Sequence, residues 1–221
     1  MLDKLFLEYD ALIVLDTETT GIRPRSDEII ELGAAVLTGD GAIREEDRLI
    51  RLSPGRRLPP EIVRLTGINE EALRSEGVEK AEAAELFTTL LASERPLVAA
   101  YNAQFDLCFL YYFLHRHGKA EILRKARFLD VLTVYKDRRE YPHRLSDAVS
   151  AYGVGEANTH RACDDARAAL EVLAAMERER DDLERYINLF GYNPRYGVDG
   201  PRISSVRYAP QPYDLRKPLY E

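Results

Sequence analysis

The chain has 221 residues, of which 45% are hydrophobic, and it carries a net charge of −7 at neutral pH. This length fits one domain with an appendage, and the charge does not favour a nucleic-acid binder unless an acidic cluster holds cations that meet phosphate. No apolar run is long enough to cross a bilayer and the N-terminus has no signal-peptide pattern, so we expect a cytoplasmic protein without membrane contact.

The apolar pattern changes from strand to helix periods along the chain. An apolar run at 12–15 ends at Asp16 and predicts a buried central strand. Two more strands are predicted at 28–37 and 42–52, around a Gly-Asp-Gly turn signal, followed by strands at 96–100 and 128–131. Helices are predicted at 61–66, after Asn69, and at 79–91, 103–117, 144–152 and 161–186, the last one capped by Thr159 or His160. A meander followed by alternating strands and helices indicates an α/β fold with a mixed five-stranded sheet flanked by helices.

The C-terminal part of the chain has a different composition. Residues 191–221 hold five of the 11 prolines and five of the 13 tyrosines, with no helix or strand period. We therefore divide the chain into a domain at 1–186 and an extension at 187–221 that wraps the domain or meets a partner. Its tyrosines alternate with Arg and Lys, which suits either packing onto the domain or contact with bases and phosphates.

Carboxylates interrupt the apolar pattern at three places. Asp16 and Glu18 lie two residues apart at a strand end and so point to one face of the sheet. Asp106 and Asp165 each fall on the apolar stripe of a helix, whereas Asp164 falls on a stripe with charged residues. Burying several ionised carboxylates together is expensive unless cations neutralise them, so the pattern predicts a metal site. The two cysteines lie in unrelated helical patterns and predict neither a disulfide nor a thiolate site.

The three segments that carry these residues resemble the three motifs of the DnaQ-like 3′-to-5′ exonucleases, in the subfamily with four acidic residues and a histidine (DEDDh), which includes proofreading epsilon subunits. Asp16 and Glu18 match the first motif, Asp106 the second, and His160 with Asp165 the third. The segments at 29–34 and 65–68 also resemble family segments, and the likeness covers about residues 10 to 178. The resemblance implies a ribonuclease H-like fold.

The resemblance further implies a mechanism. The four carboxylates would hold two ions of Mg²⁺ or Mn²⁺, which prefer oxygen ligands, and the ions would clamp the scissile phosphate. His160, close to a helix N-terminus, would be the general base. By resemblance, Thr17 and Glu18 would contact the terminal nucleotide and Ile22 would pack against its base. The implied substrate is single-stranded or frayed nucleic acid with a free 3′ end, which we take to be DNA in replication or repair, and the products are nucleoside 5′-monophosphates.

Three alternatives remain open from the sequence. The substrate could be RNA, because discrimination depends on contacts to the 2′ position. The chain could instead be an accessory or interaction module of a polymerase or sliding clamp, although all five catalytic positions are filled. The segment 186–190 resembles a bacterial clamp-binding pentapeptide without its leading Gln, and packing at a helix end is the competing interpretation.

Overall fold

Five strands form a mixed sheet in the order β3-β2-β1-β4-β5. The computed structural model describes residues 2–155, 160–212 and 217–221. Strands β1 and β2 and strands β2 and β3 pair antiparallel, and β1-β4 and β4-β5 pair parallel. This confirms the predicted five-stranded α/β sheet. The strands are β1 (Ala11–Thr19), β2 (Ile29–Thr38), β3 (Ile43–Leu49), β4 (Pro96–Ala100) and β5 (Arg127–Asp130).

Seven α-helices flank the sheet among the described residues. They are α1 (Pro60–Thr66), α2 (Glu70–Ser75), α3 (Lys80–Leu90), α4 (Ala103–Arg116), α5 (Val131–Lys136), α6 (Leu145–Tyr152) and α7 (Ala162–Glu179). The predicted cap of the second helix is present, because the Asn69 side chain accepts a hydrogen bond from the Ala72 amide at 2.9 Å. None of the described helices is both long and apolar enough to span a bilayer.

The sheet separates two apolar layers, and this alternation places the carboxylates. Leu12 and Val14 of β1 pack in the layer that contains α6 and α7. Ile13 and Leu15 point the other way, into the layer that contains α3 and α4. Because side chains alternate along a strand, Asp16 and Glu18 continue the α7 side and Thr17 continues the α4 side.

Two predicted helix boundaries are wrong. The prediction of one helix over 161–186 fails because α7 ends at Glu179, where Arg180 takes an extended conformation. Asp182 is buried there, where it accepts a hydrogen bond from Arg138 and forms an ion pair with Arg180, both at 2.6 Å, which turns the chain away from the helix axis. Acidic residues also oppose the dipole at a helix C-terminus. The N-cap of α7 is Arg161 rather than the predicted His160, and Thr159 lies outside the described residues.

Helix α5 has no counterpart among the predicted elements. The pattern at 128–131 predicts only a strand, but Asp130 ends that strand and caps a helix. Its Oδ2 accepts hydrogen bonds from the amide and the hydroxyl of Thr133 at 3.2 and 2.5 Å. An Asp before an apolar helical stretch is the N-cap signal that could have revealed α5.

The C-terminal extension packs against the domain. Strands β6 (Leu189–Tyr192) and β7 (Arg207–Pro210) pair parallel as a small separate sheet. Phe190 and Val206 belong to the same buried cluster as residues of β1, α3 and α4. Tyr186, Leu189 and Phe190 are at most 2% exposed, so the segment that resembles a clamp-binding pentapeptide has its apolar side chains in the core.

The close contact between β2 and α7 depends on Gly33. A Cβ atom built there would lie 2.0 Å from the backbone carbon of Ala162 and 2.0 Å from the backbone nitrogen of Cys163. We expect Gly33→Ala to lower the free energy of unfolding by about 1–3 kcal/mol, the usual cost of overpacking a core. Thermal and denaturant unfolding would measure the loss. Gly39→Ala is the matched control, since its Cβ would meet only ordinary contacts at 3.6 Å. Equal stability of the two variants would contradict the close approach.

Candidate active site

The candidate site lies at the carboxyl ends of the parallel strands. Asp16 and Glu18 are the half-buried residues at the end of β1, between buried neighbours. In the antiparallel register, Asp16 lies opposite Gly33 of β2 and Glu18 lies opposite Glu31. Ligand sites of open α/β sheets occur at this edge of the sheet.

Helix α4 reaches the site from one face of the sheet. Asp106 lies in its first turn and is 3% exposed. Its Oδ1 accepts hydrogen bonds from the Thr17 amide at 3.0 Å and from the Thr17 hydroxyl at 2.7 Å. The Thr17 hydroxyl therefore holds Asp106 in place, and a contact between Thr17 and the terminal nucleotide stays a prediction.

Asp130 is a supporting residue that the sequence did not reveal. Its buried Oδ1 accepts hydrogen bonds from the Asn102 and Ala103 amides at 3.1 and 3.0 Å, where the chain enters α4. Asn102 takes a left-handed conformation, with φ of 72°. Because Asp130 also caps α5, one carboxylate fixes the start of two helices, including the helix that carries Asp106. Burial raises the pKa of Asp130 despite these hydrogen bonds.

Helix α7 reaches the site from the other face, and Glu31 fixes its N-terminus. Glu31 is fully buried and accepts hydrogen bonds from Arg161 Nε at 2.7 Å and from the Ala162 amide at 3.0 Å. Arg161 also approaches Glu31 at 2.6 Å in an ion pair. The ion pair and the close contact at Gly33 together bring the first turn of α7 onto β2 beside β1. The sequence marks Glu31 and Gly33 only as part of a family segment.

The third motif meets the first at this point. Glu18, His160 and Asp165 each offer one potential metal-ligand atom. These three atoms all lie within 4.8 Å of one another. His160 is exposed and takes a left-handed conformation with φ of 55°, and Asp165 is 6% exposed. The neighbouring Asp164 is only half-buried and acts electrostatically on Asp47 and Arg161. The structure therefore brings Asp165, and not Asp164, to the carboxylates of β1.

Electrostatics link all four acidic residues of the site. Burial, together with the charges of Asp106, Glu18 and Asp165, raises the pKa of Asp16 well above the usual carboxyl range. Burial and the charges of Glu31 and Asp165 raise the pKa of Glu18 to about 8. Burial raises the pKa of Asp106 to about 7, although its hydrogen bonds from Thr17 act in the opposite direction. The metal-free site thus holds protons that bound cations would replace.

These raised pKa values predict how the stability of the metal-free protein depends on pH. A carboxyl whose folded-state pKa is raised binds its proton more tightly in the folded state than in the unfolded state. Its contribution to the stability of the folded protein is fully present below the carboxyl's unfolded-state pKa near 4. That contribution is lost as pH rises through its folded-state pKa. With a chelator present, we expect the melting temperature to fall from about pH 5 to pH 8, the window between the unfolded value and the folded values of about 7 for Asp106 and about 8 for Glu18.

Asp16→Asn should raise the melting temperature of the metal-free protein at pH 8, because it removes one member of the repelling cluster. It should also reduce the stabilisation given by millimolar Mn²⁺. Glu94→Gln removes an exposed carboxyl in the turn before β4 and is the control. A wild-type melting temperature that ignores both pH and Mn²⁺ would contradict the cluster.

The donor set fits divalent cations. The candidate ligand atoms are carboxylate oxygens from β1, α4 and α7, with one imidazole at the exposed side. Mg²⁺ and Mn²⁺ prefer such oxygen ligands, and their positive charge would offset the burial and the mutual repulsion that raise the pKa values of Asp16 and Glu18.

The loop between β1 and β2 provides an exposed apolar side chain close in sequence to the site. Ile22 follows Glu18 by four residues and is 82% exposed. Single exposed apolar residues are common, but this one stands on the loop that leaves the carboxylate cluster. Contact between Ile22 and the base of a terminal nucleotide stays a prediction that its position favours.

Comparisons with known proteins agree with this geometry. A family model described as an exonuclease, RNase T, matches residues 13–173. The chain is 33% identical over 162 residues to a PolC-type DNA polymerase III of Thermotoga maritima, a match that covers 72% of this chain and 11% of that protein. It is 30% identical over 172 residues to the DNA polymerase III subunit epsilon of Treponema pallidum, covering 76% of this chain and 77% of that protein. It therefore spans about a ninth of the first relative and most of the second.

Solved structures show the same fold. E. coli Exonuclease I in complex with a dT13 oligonucleotide superposes with a TM-score of 0.69 at 21% identity, covering 78% of this chain and 42% of that chain. The zinc-bound form of the E. coli ExoI–ssDNA complex gives a TM-score of 0.72 at 20% identity, covering 80% and 42%. The predicted ribonuclease H-like fold is thereby confirmed.

Proposed function

Since this chain belongs to the DnaQ-like exonuclease family, as the match of the RNase T model over residues 13–173 establishes, we propose that it is a metal-dependent 3′-to-5′ exonuclease. Its substrate is single-stranded or frayed DNA with a free 3′ end, and its products are nucleoside 5′-monophosphates. The convergence of Glu18, His160 and Asp165 within 4.8 Å, beside Asp16 and Asp106, carries the proposal. A cytoplasmic location goes with this function.

The four carboxylates would hold two ions of Mg²⁺ or Mn²⁺. When bound, the ions would supply positive charge to the scissile phosphate and neutralise the carboxylates. Thr17 and Asp130 hold Asp106 and its helix, and Glu31 holds the N-terminus of α7. These supports fix the acidic residues before substrate binds, which avoids reorganisation during the reaction.

In this proposal, His160 moves the proton. Its ring is on the exposed side of the cluster, within 4.8 Å of Glu18 and Asp165. A neutral imidazole there accepts a proton from the attacking water at one ring nitrogen. Ile22 packs against the base of the terminal nucleotide, which favours an unpaired end because a paired base would remain stacked in its duplex.

The names of two relatives favour DNA over RNA, since both are DNA polymerase III proteins. They also make a polymerase a candidate partner. The buried positions of Tyr186, Leu189 and Phe190 do not favour clamp binding through that segment.

The test uses matched single-stranded DNA and RNA oligonucleotides labelled at the 5′ end, with products separated by length. We expect stepwise shortening from the 3′ end, release of 5′-monophosphates, support by Mg²⁺ or Mn²⁺, and complete loss with EDTA. Full activity in EDTA or release of 3′-phosphates would contradict the mechanism. Faster degradation of RNA than of DNA would favour the exoribonuclease alternative.

A further inference from the structure

A groove of about 860 Å³ lies on the side of α4 away from Asp106. It is enclosed by α4, by the 3₁₀ turn at Ala120–Arg124, and by residues 201–205 of the C-terminal extension. We call it the α4 groove. Its lining includes the apolar side chains Leu107, Leu123 and Phe128 and the charged side chains Glu121, Arg124 and Arg202. The volume is in the range of pockets that hold ligands.

Three rings form a row along the groove. Tyr112 and Tyr111 meet edge to face with their centroids 5.3 Å apart, and Tyr111 and His115 are 5.8 Å apart. Tyr111 is 43% exposed although it is a large aromatic residue. Exposed aromatic rings in a row are the usual platform for the bases of a single strand, because every base has a face that can stack.

Arginines accompany the rings in a chain whose net charge is −7. The Arg25 guanidinium lies 5.4 Å from the centre of the Tyr112 ring, and its Nε donates to the Tyr112 hydroxyl at 2.8 Å. Arg202 lies 5.2 Å from the centre of the Tyr208 ring. Arg124 pairs with Glu121 at 2.9 Å, but both side chains are more than 70% exposed, so that ion pair is weak and exchangeable.

The loop between β1 and β2 connects the carboxylate site with the row of rings, because Arg25 contacts Tyr112. The loop that carries Ile22 also carries Arg25, and Arg116 of α4 fastens this loop by donating to the Pro24 and Arg25 carbonyls at 3.1 and 3.0 Å. Tyr111 follows Asp106 by five residues on α4, which places it about 8 Å farther along the helix axis. A strand whose 3′ end is at the carboxylates would pass Ile22 and Arg25 and then cross to the side of α4 away from Asp106 to enter the groove.

We propose that the α4 groove binds the part of a single-stranded nucleic acid that lies 5′ of the scissile phosphate. Bases stack on Tyr111 and His115, and phosphates meet Arg25, Arg124 and Arg202. Charge complementarity favours this occupant over an apolar peptide, because three arginines, Arg25, Arg124 and Arg202, accompany the rings, against the single carboxylate Glu121, which pairs with Arg124. The inference rests on the proposed function and adds the path of the strand, with a site size of about four nucleotides or more.

The test uses two single-stranded substrates of the same kind of sequence, a dinucleotide and a 12-mer, and compares their KM values. The variant combines Tyr111→Ala and Arg124→Gln, two changes at exposed side chains that leave the core intact. We expect the KM for the 12-mer to rise about tenfold or more with kcat unchanged, and the KM for the dinucleotide to shift much less. The slope of log KM against log salt should become shallower by about 0.7 unit for each phosphate that no longer meets an arginine, the usual value for a single strand.

Arg44→Gln on the edge strand β3 is the matched control for charge, and Tyr111→Phe keeps the ring and should restore most of the affinity. An unchanged KM for the 12-mer in the double variant would overturn the proposed path of the strand. An equal rise in KM for the 12-mer and the dinucleotide would also overturn it. Fluorescence anisotropy of a labelled 12-mer in EDTA gives the same comparison without hydrolysis. If wild-type protein hydrolyses neither substrate, the proposed function fails, and the anisotropy result still decides the path: a weaker Kd in the double variant supports it and an unchanged Kd overturns it.

Discussion

Asp165→Asn is expected to lower the rate of 3′-end hydrolysis by about 10³-fold or more while the protein stays folded. The side chain is 6% exposed and within 4.8 Å of Glu18 and His160. An amide has the same shape as the carboxylate but no charge, so it binds hard cations poorly. Loss of several kcal/mol of charge stabilisation at the phosphate corresponds to this factor. Single-turnover rates on a labelled oligonucleotide, with calorimetric titration of Mn²⁺, would measure both effects.

Asp164→Asn is the matched control, since it removes the same charge one residue away. Asp164 is half-buried and acts electrostatically on Asp47 and Arg161. We expect its rate to stay within about twofold of wild type, as for most substitutions away from a site. Equal losses in the two variants would mean that the first turn of α7 presents a different face to β1.

The choice between these two aspartates was available from the sequence because helix periodicity is a local property. Asp165 shares its stripe with alanines and leucines, and the structure buries that stripe against the sheet. The same reasoning placed Asp106 on the buried side of α4. Small alanines near the N-terminus of α7 also indicated a close approach, which Gly33 completes. The apolar periods of 3.6 residues in helices and of two residues in strands therefore predicted the sheet, its flanking helices and which carboxylates point inward.

The parts that sequence reasoning missed depend on contacts between distant segments. Asp130 looked like the middle of a strand, and only the fold shows that it holds the start of α4. Glu31 gave no sign that it would fix Arg161, which is 130 residues away. The end of α7 depends on Asp182 meeting Arg138 in the core. Such hydrogen bonds and ion pairs override helix propensity, and a propensity pattern does not record them.

His160→Ala is expected to slow hydrolysis by about 10²–10⁴-fold, the usual contribution of a general base. Binding of Mn²⁺ should persist, because the four carboxylates remain. His160→Gln should be as slow as the alanine variant, since a side-chain amide can still form a hydrogen bond but does not accept a proton in the pH range of the assay. A rate that depends on a protein base also depends on pH.

Measuring the rate at saturating metal separates the pH dependence that is due to His160 from the pH dependence that is due to the carboxylates. Without metal, Glu18 and Asp106 also lose protons near pH 8 and pH 7, which would by itself raise the rate with pH. Bound cations keep these groups ionised, so the remaining pH dependence at saturating Mg²⁺ reports the base. The variant's profile should then be nearly flat. His117→Ala, at the end of α4, is the control and should keep the wild-type profile. A His160→Ala protein with near-normal turnover and an unchanged pH profile would remove His160 from the proton transfer and leave the carboxylate site to act without it.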